Sequence, residues 1–402
     1  MIQFIALLLG SAHGFYLSFA LLTKNNKENN ANLILALLIF SFTLKLFSIF
    51  LDVTGFSVIG PYLIELDAPI AFLFGPLMFL YVQKLTSPSF YKVNFIHFFP
   101  FLLATVISLP FYWQSAEFKV DWLVDIPTTQ FGQFYLILFE RVFTPLKLVL
   151  ITGYLINIYQ RLIQHQKDIA DNFTNIEKIS LTWLKRLFSM IIVLFFCWVF
   201  WELIDLYLVS CTANSMGVSC ETLEETANYF MLLSEYGLVF CLYLISIYSL
   251  KQPAIFTDNS HHVEQKIEAN DEKYQKSSLT EESSTQVFQE ICRFVRQQKL
   301  YLEPDLSLSQ LAQQSGFSKH HLSQAINQCA NTTFFDFINC MRVEHAKSLL
   351  HADNKLNILE VSLEAGFNSR SSFYNAFKKH TQLTPSQFKK QKAINSCPDS
   401  RY

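Results

Sequence analysis

The sequence predicts an all-α chain in two parts: a seven-helix transmembrane bundle, then a cytoplasmic all-helical domain with two helix-turn-helix units. Three observations predict it. Apolar runs of membrane-spanning length recur before residue 252 and stop there. Lys and Arg between those runs fall almost entirely on alternate connections. Beyond residue 280, helix-start residues, glycine stops and apolar spacing come twice in the same order.

The first part rests on composition. With 51% hydrophobic residues, 40 Phe, 17 Tyr and only 16% charged residues, the chain is too apolar for an ordinary soluble protein. The excess lies in runs at residues 2–22, 33–52, 58–82, 94–113, 133–159, 187–209 and 229–250. The first run has no basic start and no small-residue cleavage site before Lys24, so it reads as a span rather than a signal peptide. With the N-terminus outside, Lys24, Lys27, Lys84, Lys92, Arg161, Lys167, Lys178, Lys185, Arg186 and Lys251 fall on inner connections and only Lys119 on an outer one. Positive charge stays in the cytoplasm, so this orientation is expected, and an odd number of spans places everything after Lys251 there. The expected partner of residues 1–251 is a lipid bilayer.

Ionisable residues inside the spans are the clue to what this part does, because each costs roughly 2.5–3.5 kcal/mol at the bilayer centre. Glu65 and Asp67, Glu140 and Arg141, Glu202 and Asp205, and Glu235 fall in the outer halves of spans three, five, six and seven, with Lys45 and Lys147 nearer the middle. Glu140 and Lys147 are seven apart and share a helix face, as do Glu202 and Asp205. One reading is an externally open, acid-rich pocket with Arg141 as its counter-charge, receiving a small-molecule or peptide signal. The other is structural ion pairing and snorkelling to the interface. Cys211 and Cys220 share the expected outer loop CTANSMGVSC, where an oxidising exterior permits a disulfide; two free thiols are the alternative. The cysteines have no metal-ligand spacing, and no cofactor is expected.

Residues 252–282 are polar and charged, as a flexible linker is. A helix is expected after Ser278 or Thr280, burying Val287, Ile291 and Phe294, and opening a domain at 283–392 before a disordered tail at 393–402. Within it Ser307 with Gln310 forms a capping box for LSQLAQQS, Gly316 ends that helix, and Ser318 caps KHHLSQAINQC. In the second copy Asn357 with Glu360 starts ILEVSLEA, Gly366 ends it, and Asn368 or Ser369 caps RSSFYNAFKKH. A long linking helix should join the copies, with Phe335, Ile338, Met341, His345 or Ala346, and Leu349 as its apolar stripe. Thr384 followed by Pro385 starts a last helix.

The second helix of such a unit sets its outward residues against base edges in the major groove. Burying Leu322 and Ile326, and Phe373 and Phe377, leaves Lys319, His320, Ser323, Gln324 and Asn327 outward on one helix and Arg370, Ser371, Tyr374, Asn375 and Lys378 on the other. A solvated face is the bland alternative for each. Across residues 285–392 stand 13 Lys and Arg against 8 Asp and Glu, a basicity that permits DNA binding without requiring it.

Over about residues 284–392 these features resemble the AraC/XylS family of bacterial transcription regulators: Arg342, Ala346 and Leu349, then Gly366-Phe367, Phe373 and Phe377, then Thr384-Pro385. LDAPIAFLFGPLMFLYV, KYQKSSLTEE and KLYLEPDLSLSQLAQQSGFSKHHLSQAIN extend the resemblance to members that carry a multi-span membrane sensor. The resemblance implies double-stranded DNA and RNA polymerase as partners, and a bacterial cytoplasmic (inner) membrane location. It also implies base reading by His320, Ser323, Gln324, Arg370, Ser371, Tyr374 and Asn375. Lys319, Lys378 and Lys379 suit phosphates. A homodimer on adjacent half-sites and a monomer reading with both helices stay open.

Enzyme chemistry has little support: His13 and His97 are the only histidines within the spans, and no Gly-rich phosphate loop occurs. A transporter with a regulatory cytoplasmic module that does not read DNA is the main rival. Pro61, Pro69, Pro76, Pro100, Pro110 and Pro145 interrupt spans as transporter helices often are interrupted.

Overall fold

The computed structural model describes residues 2–23, 31–86, 94–124, 129–176, 181–213, 218–251, 280–352 and 356–395. Most of the expected linker, residues 252–279, and the end of the tail, 396–402, lie outside the described residues. Every named element is a helix, and an isolated antiparallel bridge joins Phe173 to Ser307. The chain divides into two compact units, residues 1–162 with 182–253, and residues 163–181 with 254–402.

The helices of the first stretch are α1 (Ile2–Thr23), α2 (Ala31–Thr54), α3 (Pro61–Thr86), α4 (Phe95–Tyr112), α5 (Ala116–Val124), α6 (Gln130–Leu136), α7 (Thr144–Asn172), α8 (Thr182–Ala213) and α9 (Val218–Lys251). Among the described residues six helices are long and apolar enough to cross a membrane: α1, α2, α3, α4, Thr182–Ile204 of α8 and Glu225–Tyr248 of α9. The expected fifth span is not among them. Its apolar run is broken by a π-helical stretch at Ile137–Phe143 that carries Glu140 and Arg141, and α7 resumes at Thr144. Seven apolar runs therefore fold as six crossing-length helices and one interrupted one.

Within this unit α1 packs along α2 and α9, α8 along α9, and α2 against α3. Small polar residues allow the close approach, as Ser18 shows by donating its hydroxyl to the Ala36 carbonyl at 2.9 Å. A second, aromatic core gathers Phe72, Phe111, Trp122, Tyr135, Phe139 and Phe143. Lys119 is wholly buried beside it, donating to the Tyr112 carbonyl at 2.8 Å with its ammonium 4.8 Å from the centre of the Tyr62 ring.

The other unit contains α10 (Glu281–Gln297), α11 (Leu308–Ser315), α12 (Lys319–Ala330), α13 (Phe334–His351), α14 (Ile358–Glu364), α15 (Arg370–Thr381) and α16 (Pro385–Asn395). The last ten residues of α7 belong to it as well. Thr280 caps α10 as expected, with Ile291 and Val295 fully buried and Val287 and Phe294 partly so. Those side chains join Leu308, Leu311, Leu322 and Ile326 of the first helix-turn-helix in one core. Val343, Ala346, Val361, Phe367, Phe373 and Phe377 make the second. The linking helix α13 enters both, supplying Phe334, Phe337 and Ile338 to one and Val343, Ala346 and Leu350 to the other.

Its buried row differs from the apolar stripe expected. Phe334, Ile338, Arg342, Ala346 and Leu350 face inward, whereas Phe335, Met341 and Leu349 are only partly buried. The row is continuous at helical spacing once a buried arginine is admitted into it. Counting apolar residues alone rotates the helix away from that register.

Both expected glycine stops have left-handed backbone, Gly316 at φ +78° and Gly366 at φ +85°. They differ in their surroundings. A Cβ on Gly316 would meet open space, but one on Gly366 would stand 2.8 Å from the Tyr301 carbonyl oxygen and 2.9 Å from the Leu302 Cα. Gly316→Ala should therefore cost only the left-handed penalty, about 1–2 kcal/mol. Gly366→Ala should cost more, because backbone must also move. Hydrogen exchange of the full chain in detergent should show the difference as loss of protection across residues 356–391 in the second variant alone.

Candidate nucleic-acid interface

Each helix-turn-helix is set by local chemistry. Ser307 and Gln310 cap α11 reciprocally, Asn357 and Glu360 do the same for α14, and Ser318 and Ser369 accept from the third backbone amide of α12 and α15. On α12, Leu322, Ala325 and Ile326 are buried, His320 and Asn327 are exposed, and Lys319, Ser323 and Gln324 are half-buried. On α15, Phe373, Ala376 and Phe377 are buried while Arg370, Ser371, Asn375, Lys378 and Lys379 are exposed. Packing thus leaves His320, Arg370, Ser371 and Asn375 on the outward faces, with Ser323, Gln324 and Tyr374 half-buried.

Several of them are ordered by their neighbours. The Arg370 guanidinium lies 5.1 Å from the centre of the Tyr374 ring and donates to its phenol oxygen at 3.2 Å. That oxygen also bonds Ser386 of α16 at 3.3 Å. Hydrogen bonds from Ser386 and Arg370 lower the Tyr374 phenol below its ordinary pKa. Stacking holds the guanidinium fork on one side of α15, which favours bidentate contact with an acceptor pair. Lys379 instead reaches Asp336 at the start of α13, 2.6 Å away, tying the end of α15 to the linking helix. Its ammonium is thus occupied by a carboxylate in this structure.

The two helix-turn-helix copies are held together by a contact sequence reading did not foresee. Arg342, only 2% exposed, donates Nε to the Tyr301 carbonyl at 2.7 Å and an Nη to the Glu303 carbonyl at 2.7 Å. The same nitrogen reaches Pro304 at 3.3 Å, the other Nη takes the Asn339 side chain at 3.3 Å, and the guanidinium lies 5.6 Å from the centre of the Phe367 ring. Burial pulls its pKa down to about 10 against the opposing pull of Asp305, which leaves it charged at neutral pH. The carbonyls belong to the turn between α10 and α11, and Asp305 of that turn accepts from Asn368, just before α15, at 2.7 Å. One turn therefore touches both copies.

The acid-rich set in the apolar unit is gathered only in part. Asp67 accepts from Lys45 at 2.7 Å and from Ser48 at 2.7 Å, with Glu65 and Lys147 near enough to interact and Glu202 near Lys147. A cavity of about 100 Å³ opens beside Asp67, lined also by Phe15, Phe47, Ser48 and Leu66. Glu235 accepts from Gln3 at 3.0 Å and lies near enough to Lys45 to interact with it. Glu140 and Arg141 are on the exposed surface, so the cations among the acids are Lys45 and Lys147 rather than Arg141. The side chains of Asp205, Cys211 and Cys220 lie outside the described residues.

Comparison with known proteins places the same region. A family profile described as a helix-turn-helix domain matches residues 311–391. The probable transcription factor PqrA of Proteus vulgaris is 32% identical over 96 residues, 24% of this chain and 75% of that protein. An uncharacterized HTH-type transcriptional regulator of Staphylococcus aureus strain COL is 36% identical over 101 residues, 25% of this chain. A counterpart in strain MRSA252 matches to the same extent. The chain spans 13% of the length of each of these Staphylococcus relatives. No solved structure matches the chain.

Two substitutions separate packing from reading. Phe377→Ala removes a fully buried ring and should cost about 3–5 kcal/mol. Lys379→Ala breaks an exposed pair, so chemical denaturation should show a change of about 1 kcal/mol or less.

Proposed function

The chain belongs to the helix-turn-helix transcriptional regulators, and we propose that it is a membrane-anchored member of AraC/XylS type that reads double-stranded DNA sequence-specifically and answers a signal. The observation that carries the reading is the pair of capped helices, α12 and α15, that bury one face in adjoining cores and turn His320, Arg370 and Asn375 outward. Arg370 suits the O6 and N7 acceptors of guanine, and Asn375 the N6 and N7 edge of adenine. His320, Ser323, Gln324, Ser371 and Tyr374 complete the reading faces. Lys319 and Lys378 meet phosphates, and Lys379 joins them when it leaves Asp336.

Residues 1–251 anchor the chain in the bacterial inner membrane with the N-terminus outside, as the inner basic connections require. The interrupted helix at residues 133–159 counts as a span in this reading, making seven and delivering the DNA-reading domain to the cytoplasm. A small polar or cationic signal enters beside Asp67, where a cavity and a partly buried ion pair adjoin. Two chains on adjacent half-sites and contact with RNA polymerase complete the proposed assembly.

Crosslinking and sequencing of DNA held by the intact membrane-embedded protein tests the reading. Discrete sites should appear and vanish in an Arg370→Ala, Asn375→Ala double variant. A flat profile under several growth conditions would transfer the reading to a transporter with a module that does not read DNA. At a recovered site, Arg370→Ala should cost about 1–3 kcal/mol at one base position, while Lys378→Ala weakens all sequences alike and lowers the salt slope by about 1.

The signal site has its own test. Asp67→Asn, at normal protein level, should abolish or lock the response of a reporter gene placed behind that site. A response identical to the parent's would remove Asp67 from signal reception.

A further inference from the structure

The segment between α7 and α8 does more than connect them. Its residues Phe173–Asn175 follow directly on α7 and are built onto the turn between α10 and α11 that touches both helix-turn-helix copies. Phe173 pairs with Ser307 in the antiparallel bridge, and the Thr174 amide donates to the Leu306 carbonyl at 3.2 Å. The Thr174 hydroxyl, 3% exposed, donates to Leu306 at 2.8 Å or Pro304 at 3.2 Å and accepts from Arg342 at 3.4 Å. The Asn175 amide donates to Asp305 Oδ1 at 2.8 Å. That same oxygen receives Asn368 at 2.7 Å. One carboxylate oxygen thus joins this segment to the residue that leads into the reading helix α15.

We propose that Phe173–Asn175 is a clasp on the DNA-reading unit: docked, it holds the 301–306 turn and through Asp305 the start of α15 in reading position, and its release is how a signal lowers DNA binding. This deepens the regulator reading and rests on it. The partner of the docking surface is this chain's own segment, committed by four hydrogen-bonded contacts and by chain continuity from α7. A side chain such as Arg342, already given carbonyl partners at Tyr301 and Glu303, has no need of Thr174 for satisfaction alone. The clasp adds what those bonds lack, a link to sequence that continues into the apolar helices.

Thr174, Asn175 and Asp305 are therefore positioning residues for base reading, and the test must separate positioning from general stability. The full chain in lipid nanodiscs is measured on an operator recovered by crosslinking, as the parent, Thr174→Val, Thr174→Ser, Asn175→Ala and Asn172→Ala. Asn172 bonds only its own helix, to the Asp168 carbonyl at 2.6 Å, and serves as the control. Each lost hydrogen bond is expected to weaken binding about fivefold, with Thr174→Ser and Asn172→Ala at parent affinity. The loss should appear as relaxed base preference at positions read by α15, with those read by α12 unchanged, and as faster amide exchange at residues 368–372 but not 308–326.

Uniform weakening at every base, or parent behaviour in both Thr174→Val and Asn175→Ala, overturns the clasp. A Phe173→Cys, Ser307→Cys pair keeps the test independent of those variants. Its oxidised form, compared with the same pair reduced so that the lost Ser307 cap is common to both, should bind DNA with equal affinity and no longer respond to the growth condition that changes occupancy. Failure of the pair to crosslink, or an unaltered response after crosslinking, also overturns it. Absence of DNA binding by the unsubstituted chain is a different result: it overturns the regulator reading, and the clasp as a control of it.

Discussion

The buried guanidinium of Arg342 is the constraint on which the pair of helix-turn-helix copies depends. A group that cannot be neutralised at physiological pH must find acceptors when it leaves water, and unpaired burial is prohibitively costly. Here the acceptors are backbone carbonyls of Tyr301, Glu303 and Pro304, which a turn can present together only in one shape. The arginine stands in the middle of α13, between the half that packs the first core and the half that packs the second. Fixing the turn to α13 at that point fixes both copies to one another.

The same turn explains the glycine at the turn of the second helix-turn-helix copy. Gly366 passes so close to Tyr301 and Leu302 that a methyl group would collide with backbone, and Phe367 beside it lays its ring on the Arg342 guanidinium. A left-handed residue is needed to end α14, and a residue without Cβ is needed to let the turn in. Both needs fall on one position. Asn368 then bonds Asp305, and Ser369 caps α15, so the reading helix starts at a place determined by the hub rather than by its own apolar face alone.

The apolar unit deals with charge differently. Lys45 and Asp67 meet at 2.7 Å with Ser48 completing the carboxylate's partners, an arrangement that avoids an isolated charge among apolar helices. The helix that carries Glu140 and Arg141 has a π-helical stretch at Ile137–Phe143, with both charges on its exposed side. Such a pair beside a cavity is a place where a charged ligand changes the balance of interactions, which is the physical requirement for coupling a signal to structure.

Sequence alone determined most of what is local. Seven apolar runs, the caps at Ser307, Ser318, Asn357, Ser369 and Thr280, the glycine stops and the outward faces of α12 and α15 were legible because each depends on residues within one or two turns of each other. What only tertiary structure decided are contacts between residues far apart in the chain. The expected stripe on α13 was turned away from its true register because an arginine in a core is invisible to apolar counting. The grouping of Lys45 with Asp67, and the docking of Phe173–Asn175 onto residues 304–307, join segments whose sequences carry no mark of one another. Hydrogen bonds to backbone carbonyls in particular leave no side-chain signature in the acceptor, so a hub made of Tyr301, Glu303 and Pro304 carbonyls is set by the fold and cannot be read from residue type.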